Sequence, residues 1–294
     1  MPSAGGCQGV NQGERDAVST VRELLARSVE LPPDSARRDA EILLCHTLGR
    51  SRSWLYAWPE AEVAAQQQAV FEQLLARRAA GEPVAYLTGT REFWSLALKV
   101  TDATLIPRPE TEILVEWALA LPLPSGASVL DLGTGSGAIA LALASERPAW
   151  QVTAVDSSAQ ALAIAADNAA CHGLSRVRFL PSDWFAALPG ERFNLLLANP
   201  PYIDAADPHL QRGDVRFEPR AALVAPEGGL ADIRRLIDGA AEHLLPGGWL
   251  LLEHGSEQGA SVRALLQDAG FFAPQTRLDF AGLERISGGC LHAE

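Results

Sequence analysis

Beyond Pro124 the chain alternates short apolar runs with Ala-rich segments, and this alternation limits the fold more than any single residue does. The runs Ser128–Leu132, Gln151–Val155, Val177–Leu180, Asn194–Ala198 and Trp249–Glu253 read as strands, with two more near Gln275–Leu278 and Glu284–Ser287. Between them, Ala138–Ser145, Ala159–Cys171, Ala231–Leu244 and Gln258–Ala269 read as helices. Strands that are apolar throughout, each followed by a helix, predict a parallel sheet covered on both faces. Ligands of open α/β sheets bind beyond the carboxyl ends of the strands, so the segments that follow each run are the ones to search.

Four such segments carry chemistry. The first turn reads Asp131-Leu132-Gly133-Thr134-Gly135-Ser136-Gly137-Ala138. Glycines there let a ligand approach the backbone, and the helix N-terminus behind them favours negative charge. The pattern Gly133, Gly135, Ala138 also fits a nicotinamide-dinucleotide site, and a tight structural turn is the plainer alternative. Asp156 ends the second run, where a carboxylate can accept from both hydroxyls of a ribose or can cap the next helix. After the third run comes Ser182-Asp183-Trp184-Phe185. Trp184 offers an apolar face to an adenine and Asp183 an acceptor for its amine, unless the indole is simply core.

The fourth segment is Asn199-Pro200-Pro201-Tyr202. A planar amide or aromatic-amine nitrogen is a poor nucleophile, and alkylating it requires acceptors for its N–H groups and a flat apolar surface against its face. Asn199 supplies a side-chain oxygen, the stiffly held Pro200 a carbonyl, and Tyr202 the face. An ordinary loop is the plain alternative.

The rest of the chain has a different texture. Residues 1–15 are rich in small and polar types and are expected to be a disordered tail. Residues 16–85 are expected to form a small all-helical domain: Val21, Leu24, Leu25 and Val29 are spaced for one helix, Asp34 can cap a second that stops at Gly49, and a long helix runs from about Glu60 to Ala80. Val84–Gly89 and Phe93–Val100 read as the two arms of a hairpin around a Gly-containing turn, so residues 86–105 are expected to be a β-hairpin linker, with the catalytic domain over 106–294.

Of the 294 residues, 48% are hydrophobic and 20% charged, a globular composition. There is no stretch with the length of a membrane span and no signal-peptide pattern, and four scattered cysteines without CxxC spacing suit a cytoplasmic protein without a metal site. The net charge of −12 is unevenly placed. Residues 1–100 hold 11 Lys and Arg against 12 Asp and Glu, which leaves residues 101–294 with 13 of the 24 basic and 24 of the 36 acidic side chains. An acidic catalytic half lacks the basic footprint of a nucleic-acid binder.

Taken together, Asp131–Gly137 and Asn199–Tyr202 resemble the class I S-adenosylmethionine-dependent methyltransferases that modify planar nitrogens. With Phe93-Trp94, Leu105–Glu112, Ser182–Phe185, Ile203-Asp204 and Asp214–Pro219 added, the chain from about residue 17 resembles the bacterial peptide chain release factor N5-glutamine methyltransferases. The resemblance implies a Rossmann-like, doubly wound, seven-stranded sheet behind a helical domain. It implies methyl transfer from S-adenosyl-L-methionine to the glutamine of the Gly-Gly-Gln motif in class-1 release factors, by a monomer that contacts neither membrane nor nucleic acid. It assigns Gly133, Thr134, Gly135, Ser136 and Gly137 to the methionine part of the cofactor, Asp156 to its ribose, and Asp183 and Trp184 to its adenine. Asn199, also beside the cofactor, Pro200, Pro201 and Tyr202 hold the glutamine. Phe280 stands where the family suggests Tyr. The rival readings are a glutamine methyltransferase of a ribosomal protein, an adenine-N6 nucleic-acid methyltransferase and a nicotinamide-dependent oxidoreductase.

Overall fold

Residues 19–31 and 35–291 are described by a computed structural model, and the chain divides between Thr88 and Gly89 into two compact units. The expected tail and the Asp34 cap lie outside the described residues.

The first unit is helical: α1 Val21–Ala26, α2 Ala36–Leu48, α3 Arg52–Ala57, α4 Ala65–Ala79 and α5 Val84–Thr88. Thr20 and Glu23 close a capping box on α1, and Gly49, in the left-handed region, ends α2. Val21, Leu24, Leu43, Leu44, Phe71 and Leu75 form its core. Glu41, almost fully buried, is compensated by Arg37 at 2.8 Å, Arg52 at 2.6 Å and the Tyr56 hydroxyl at 2.7 Å.

Three details depart from the sequence reading. Helix α1 ends at Ala26 and passes into a 3-10 turn, Arg27–Glu30, which leaves Val29 exposed. The helix expected from Glu60 begins only at Ala65, because Val63 N–H donates to the Ser19 carbonyl and Thr20 pairs with Glu62 as an isolated bridge. Val84–Thr88 is a helix rather than a hairpin arm. The Pro83 carbonyl accepts from both Tyr86 and Leu87, and Val84 and Leu87 meet the helical core at helix spacing.

In the second unit a hairpin, β1 Thr90–Phe93 and β2 Leu96–Lys99, turns at Trp94-Ser95. Both turn residues have positive φ, 51° and 61°, although neither is the Gly or Asn such a turn favours. Two acceptors hold Trp94 there: its backbone N–H donates to Glu112 Oε1 and its indole to Glu146 Oε1, each at 2.8 Å.

The remainder is a sheet with helices in the order α6 Glu112–Ala120, β3 Ser128–Leu132, α7 Ala138–Glu146, β4 Gln151–Asp156, α8 Ala159–Cys171, β5 Arg178–Pro181, β6 Phe193–Ala198, α9 Pro226–Gly229, α10 Ala231–His243, β7 Leu244–Glu253, α11 Gly259–Asp268, β8 Phe271–Leu278 and β9 Glu284–Leu291. The segment α9 is a single turn with a kink, since Glu227 and Gly228 have left-handed backbones. The spatial order is β5-β4-β3-β6-β7-β9-β8; the first five strands are parallel, and β9 joins β7 and β8 antiparallel. The seven expected strands are therefore present in a mixed sheet. Period-two alternation explains why the strands are apolar throughout: Val129, Leu195 and Leu197 pack into one cluster, while Leu130, Leu132, Leu196 and Ala198 pack into the other.

The order of the strands reverses between β3 and β6. Their register sets Leu132 opposite Ala198, so the chain leaves both strands at one point of the sheet edge. Asn168, buried on α8, ties the hairpin to this edge. Its Nδ2 donates to the Lys99 carbonyl at 3.0 Å and the Ser136 carbonyl at 2.9 Å, and its Oδ1 accepts from Lys99 N–H at 2.7 Å. Asn168→Ala strands these groups, so urea unfolding is expected to show a loss of about 2–4 kcal/mol at unchanged m-value.

Candidate active site

One cavity of about 420 Å³ opens at this edge, within the range of small-molecule sites. Its lining includes Gly133, Thr134, Gly135, Ser136, Asp156, Asp183, Trp184, Asn199 and Pro201, so residues from four separate strand ends converge. Gly137, Pro200 and Tyr202 are not part of that lining. The wall also contains Asp102–Leu105, Thr111, Pro219, Asp232 and Arg235, which strand-end reasoning alone did not reach.

The glycine turn is stitched to β4. Gly133 and Thr134 both donate to the Val155 carbonyl at 2.9 Å, and Gly135 donates to Asp156 Oδ2 at 2.9 Å. Gly133 has φ of 76°, and a Cβ there would sit 3.2 Å from the Trp184 ring, so the indole lies directly against the turn. Trp184 itself has a positive φ of 48°, and its indole N–H donates to Asp232 Oδ1 at 3.2 Å. The ring is partly packed on the core and lines the cavity wall.

Of the two roles weighed for Asp156, the cap is present. Oδ1 accepts from Ser158 N–H at 2.8 Å as a cap, Oδ2 accepts from the glycine turn, and the remaining lone pairs face the cavity it lines. Asp183 makes an exposed ion pair with Arg235 at 2.9 Å while lining the same wall.

Asn199 follows β6, and its Nδ2 donates to Thr111 Oγ1 at 3.2 Å, leaving Oδ1 without a partner among the described residues. Thr111 in turn donates to Glu253 Oε2 at 2.7 Å, and the Tyr202 hydroxyl donates to Glu253 Oε1 at 3.3 Å. Glu253 ends β7, so it too belongs to the sheet edge. Burial pushes its carboxyl up to about 7, against the pull of the Thr111 hydroxyl and Arg285. Burial also raises the Tyr202 phenol above its ordinary value. Thr111 lay inside a segment singled out in the sequence, and Glu253 was a polar terminus of an expected strand; either signal could have placed it here.

The methyltransferase small domain description matches residues 110–231 and the PrmC N-terminal domain description residues 16–89. The release factor glutamine methyltransferase of Salmonella typhimurium is 55% identical over 256 residues, covering 87% of this chain and 92% of that protein. That of Pseudomonas aeruginosa is 53% identical over 272 residues, covering 92% and 99%. The chain belongs to the release factor glutamine methyltransferase family. A crystal structure of a methyltransferase from Pyrococcus furiosus, 17% identical, covers 78% of this chain and all of its own at a TM-score of 0.52, which supports the fold. The sequence expectations of family, fold and cofactor therefore hold, and the oxidoreductase reading falls.

The cofactor of this family member is S-adenosyl-L-methionine, and the residues present suit it. Trp184 supplies a flat apolar wall, Asp156 spare acceptor positions, and the glycine turn exposed backbone. A buried orphan completes the set: Asp131 Oδ2 accepts from Thr134 Oγ1 at 2.6 Å and Ala140 N–H at 3.2 Å, but Oδ1 is buried with no partner. A molecule bearing a sulfonium and an ammonium brings positive charge to a wall that holds Asp102, Asp156, Asp183 and Asp232 against Arg235. Burial pushes the Asp131 carboxyl up to about 7, from an ordinary 3.8. A raised folded value means that its contribution to stability is present below about 4 and is lost as pH rises through 7. Cofactor-free Asp131→Asn is thus expected to gain on the wild type between pH 4 and 8, by up to about 4 kcal/mol at 1.4 kcal/mol per unit, read from urea unfolding at each pH.

Proposed function

We propose that the cavity holds S-adenosyl-L-methionine against Trp184 and the glycine turn, and that Asn199–Tyr202 present to it the glutamine of the Gly-Gly-Gln motif of a class-1 release factor. The observation that carries this reading is the Asn199 amide: its nitrogen is committed to Thr111, and its oxygen is the acceptor left at the junction of β3 and β6.

The cofactor supplies an electrophilic methyl group on a sulfonium. The protein supplies the rest. Asn199 Oδ1 and the Pro200 carbonyl accept the two amide N–H bonds, which favours a nitrogen lone pair drawn out of conjugation. Neither Pro200 nor Pro201 has an N–H, so this pair offers carbonyl acceptors and no competing backbone donor. Pro201 in the lining and the adjacent core-packed Tyr202 limit how the planar amide can tilt. The proton released from nitrogen leaves to water, and no side chain is required as a base. Positioning and preorganised acceptors account for the acceleration.

The helical unit is proposed as the part that recognises the protein substrate. It carries no chemical motif, has its own core, and exposes Tyr56 and Trp58 at 59% and 61%. A glutamine side chain alone is too small to select one protein, since specific interfaces bury about 1,200–2,000 Å². No described helix is long and apolar enough to cross a membrane; we read the protein as a cytoplasmic monomer that makes no direct nucleic-acid contact, in keeping with a release factor as substrate.

Asn199→Ala is expected to keep cofactor affinity by calorimetry and to lower methyl transfer at least about a hundredfold, since removing one aimed acceptor costs roughly 2.7–4 kcal/mol. Labelled cofactor should mark purified release factor; label confined to ribosomal protein or DNA would overturn the substrate. A chain beginning at Gly89 should lose far more rate on intact release factor than on a short glutamine peptide, and equal losses would reject the recognition role.

A further inference from the structure

We propose that Thr111 and Glu253 are positioning residues which, through one shared hydroxyl proton, set the orientation of the Asn199 amide and thereby make the site an acceptor of N–H bonds. The inference rests on the proposed role of Asn199.

An asparagine side chain can turn over and exchange its oxygen and nitrogen, and the two orientations have opposite meanings for an amide substrate. Thr111 Oγ1 has one proton and lies between Glu253 Oε2 at 2.7 Å and the Asn199 amide at 3.2 Å. When Glu253 is ionised, both of its oxygens only accept, so Thr111 must donate to it. The Thr111 oxygen is then left as an acceptor, and only Nδ2 of Asn199 satisfies it. Oδ1 turns away, toward the substrate position. The Tyr202 hydroxyl donates to the second carboxylate oxygen, which keeps Glu253 from rotating out of the relay. Thr111 and Glu253 are both buried, at 4% and 1%, so water does not substitute for either partner.

Protonation of Glu253 reverses the chain. The carboxyl can then donate to Thr111, whose hydroxyl becomes free to donate to Asn199 Oδ1, and the amide turns its NH₂ group into the site. A site with that orientation repels the N–H bonds it should accept. The charged groups around Glu253 are few. Arg285 on β9 favours the carboxylate and Glu110, beside Thr111, disfavours it; the Tyr202 phenol stays neutral, and β6 contributes no titratable side chain. Burial places the change at about pH 7.

The test compares Thr111→Val, Thr111→Ser and Glu253→Gln in the full-length protein at saturating S-adenosylmethionine, with release factor as substrate. Saturation keeps cofactor binding from limiting the rate, so a change in kcat reads the transfer step. Thr111→Val should lower kcat about tenfold to a hundredfold with cofactor affinity near wild type and a melting temperature reduced by the unpaired Glu253 oxygen, and Thr111→Ser should restore most of both. The Asn199 side-chain amide resonances should shift in Thr111→Val and return in Thr111→Ser. Wild-type kcat should fall as pH drops through about 7, and Glu253→Gln, which cannot ionise, should lack that limb. Wild-type rates in Thr111→Val, or an unchanged acid limb in Glu253→Gln, would overturn the relay while leaving the methyltransferase reading intact. A wild type that leaves release factor unlabelled would overturn both.

Discussion

The parallel junction of β3 with β6 is the constraint from which the site follows. Because Leu132 and Ala198 are register partners, the glycine turn and Asn199 leave the sheet side by side, and every other site residue is placed relative to that pair. Strand order runs outward from the junction in both directions, so helices that follow β3 and β6 diverge and leave a crevice between them. The sheet does not need to be designed around a ligand for this crevice to exist; the topology supplies it. What sequence adds is the set of residues at the four strand ends.

Those residues are held by bonds that serve the fold and the site together. Asp156 caps α8 with one oxygen and grips the glycine turn with the other. Asn168 ties the turn to β2. Glu218, buried beneath the entrance, accepts from Ile106 N–H at 3.1 Å and from Arg108 at 2.5 Å, so the segment before α6 is anchored to the loop that follows Asn199–Tyr202. A cavity whose walls are cross-linked in this way is largely preorganised, and little binding energy goes into ordering it.

Much of this was legible in the sequence because it depended on local rules. The period of the apolar runs revealed the seven strands, and glycine spacing marked the turn. Two kinds of feature were not legible. The first is local structure decided by a distant partner: Trp94-Ser95 lacks the residues a tight turn prefers, and only Glu112 and Glu146, far along the chain, hold it in place. Val84–Thr88 likewise looked extended until the Pro83 carbonyl and the core of the helical unit made it a helix. The second is polar pairing across the sheet edge. Thr111 and Glu253 are 142 residues apart, and nothing in either neighbourhood announces the other.

The same edge concentrates cost. Asp131 and Glu253 are both buried carboxyls at strand ends, and the hydrogen bonds each receives come from neutral donors rather than from a paired cation. Ionised, each destabilises the empty protein; neutral, each gives up the acceptor that the site uses. Arg285 favours ionisation of Glu253 from within the fold. The two carboxyls differ in what relieves them. Asp131 receives only the Thr134 hydroxyl and the Ala140 N–H, and the nearby Asp156 charge raises it further. For Glu253 the Arg285 charge offsets part of the cost of burial, so the carboxylate that sets the Asn199 amide is favoured above about pH 7.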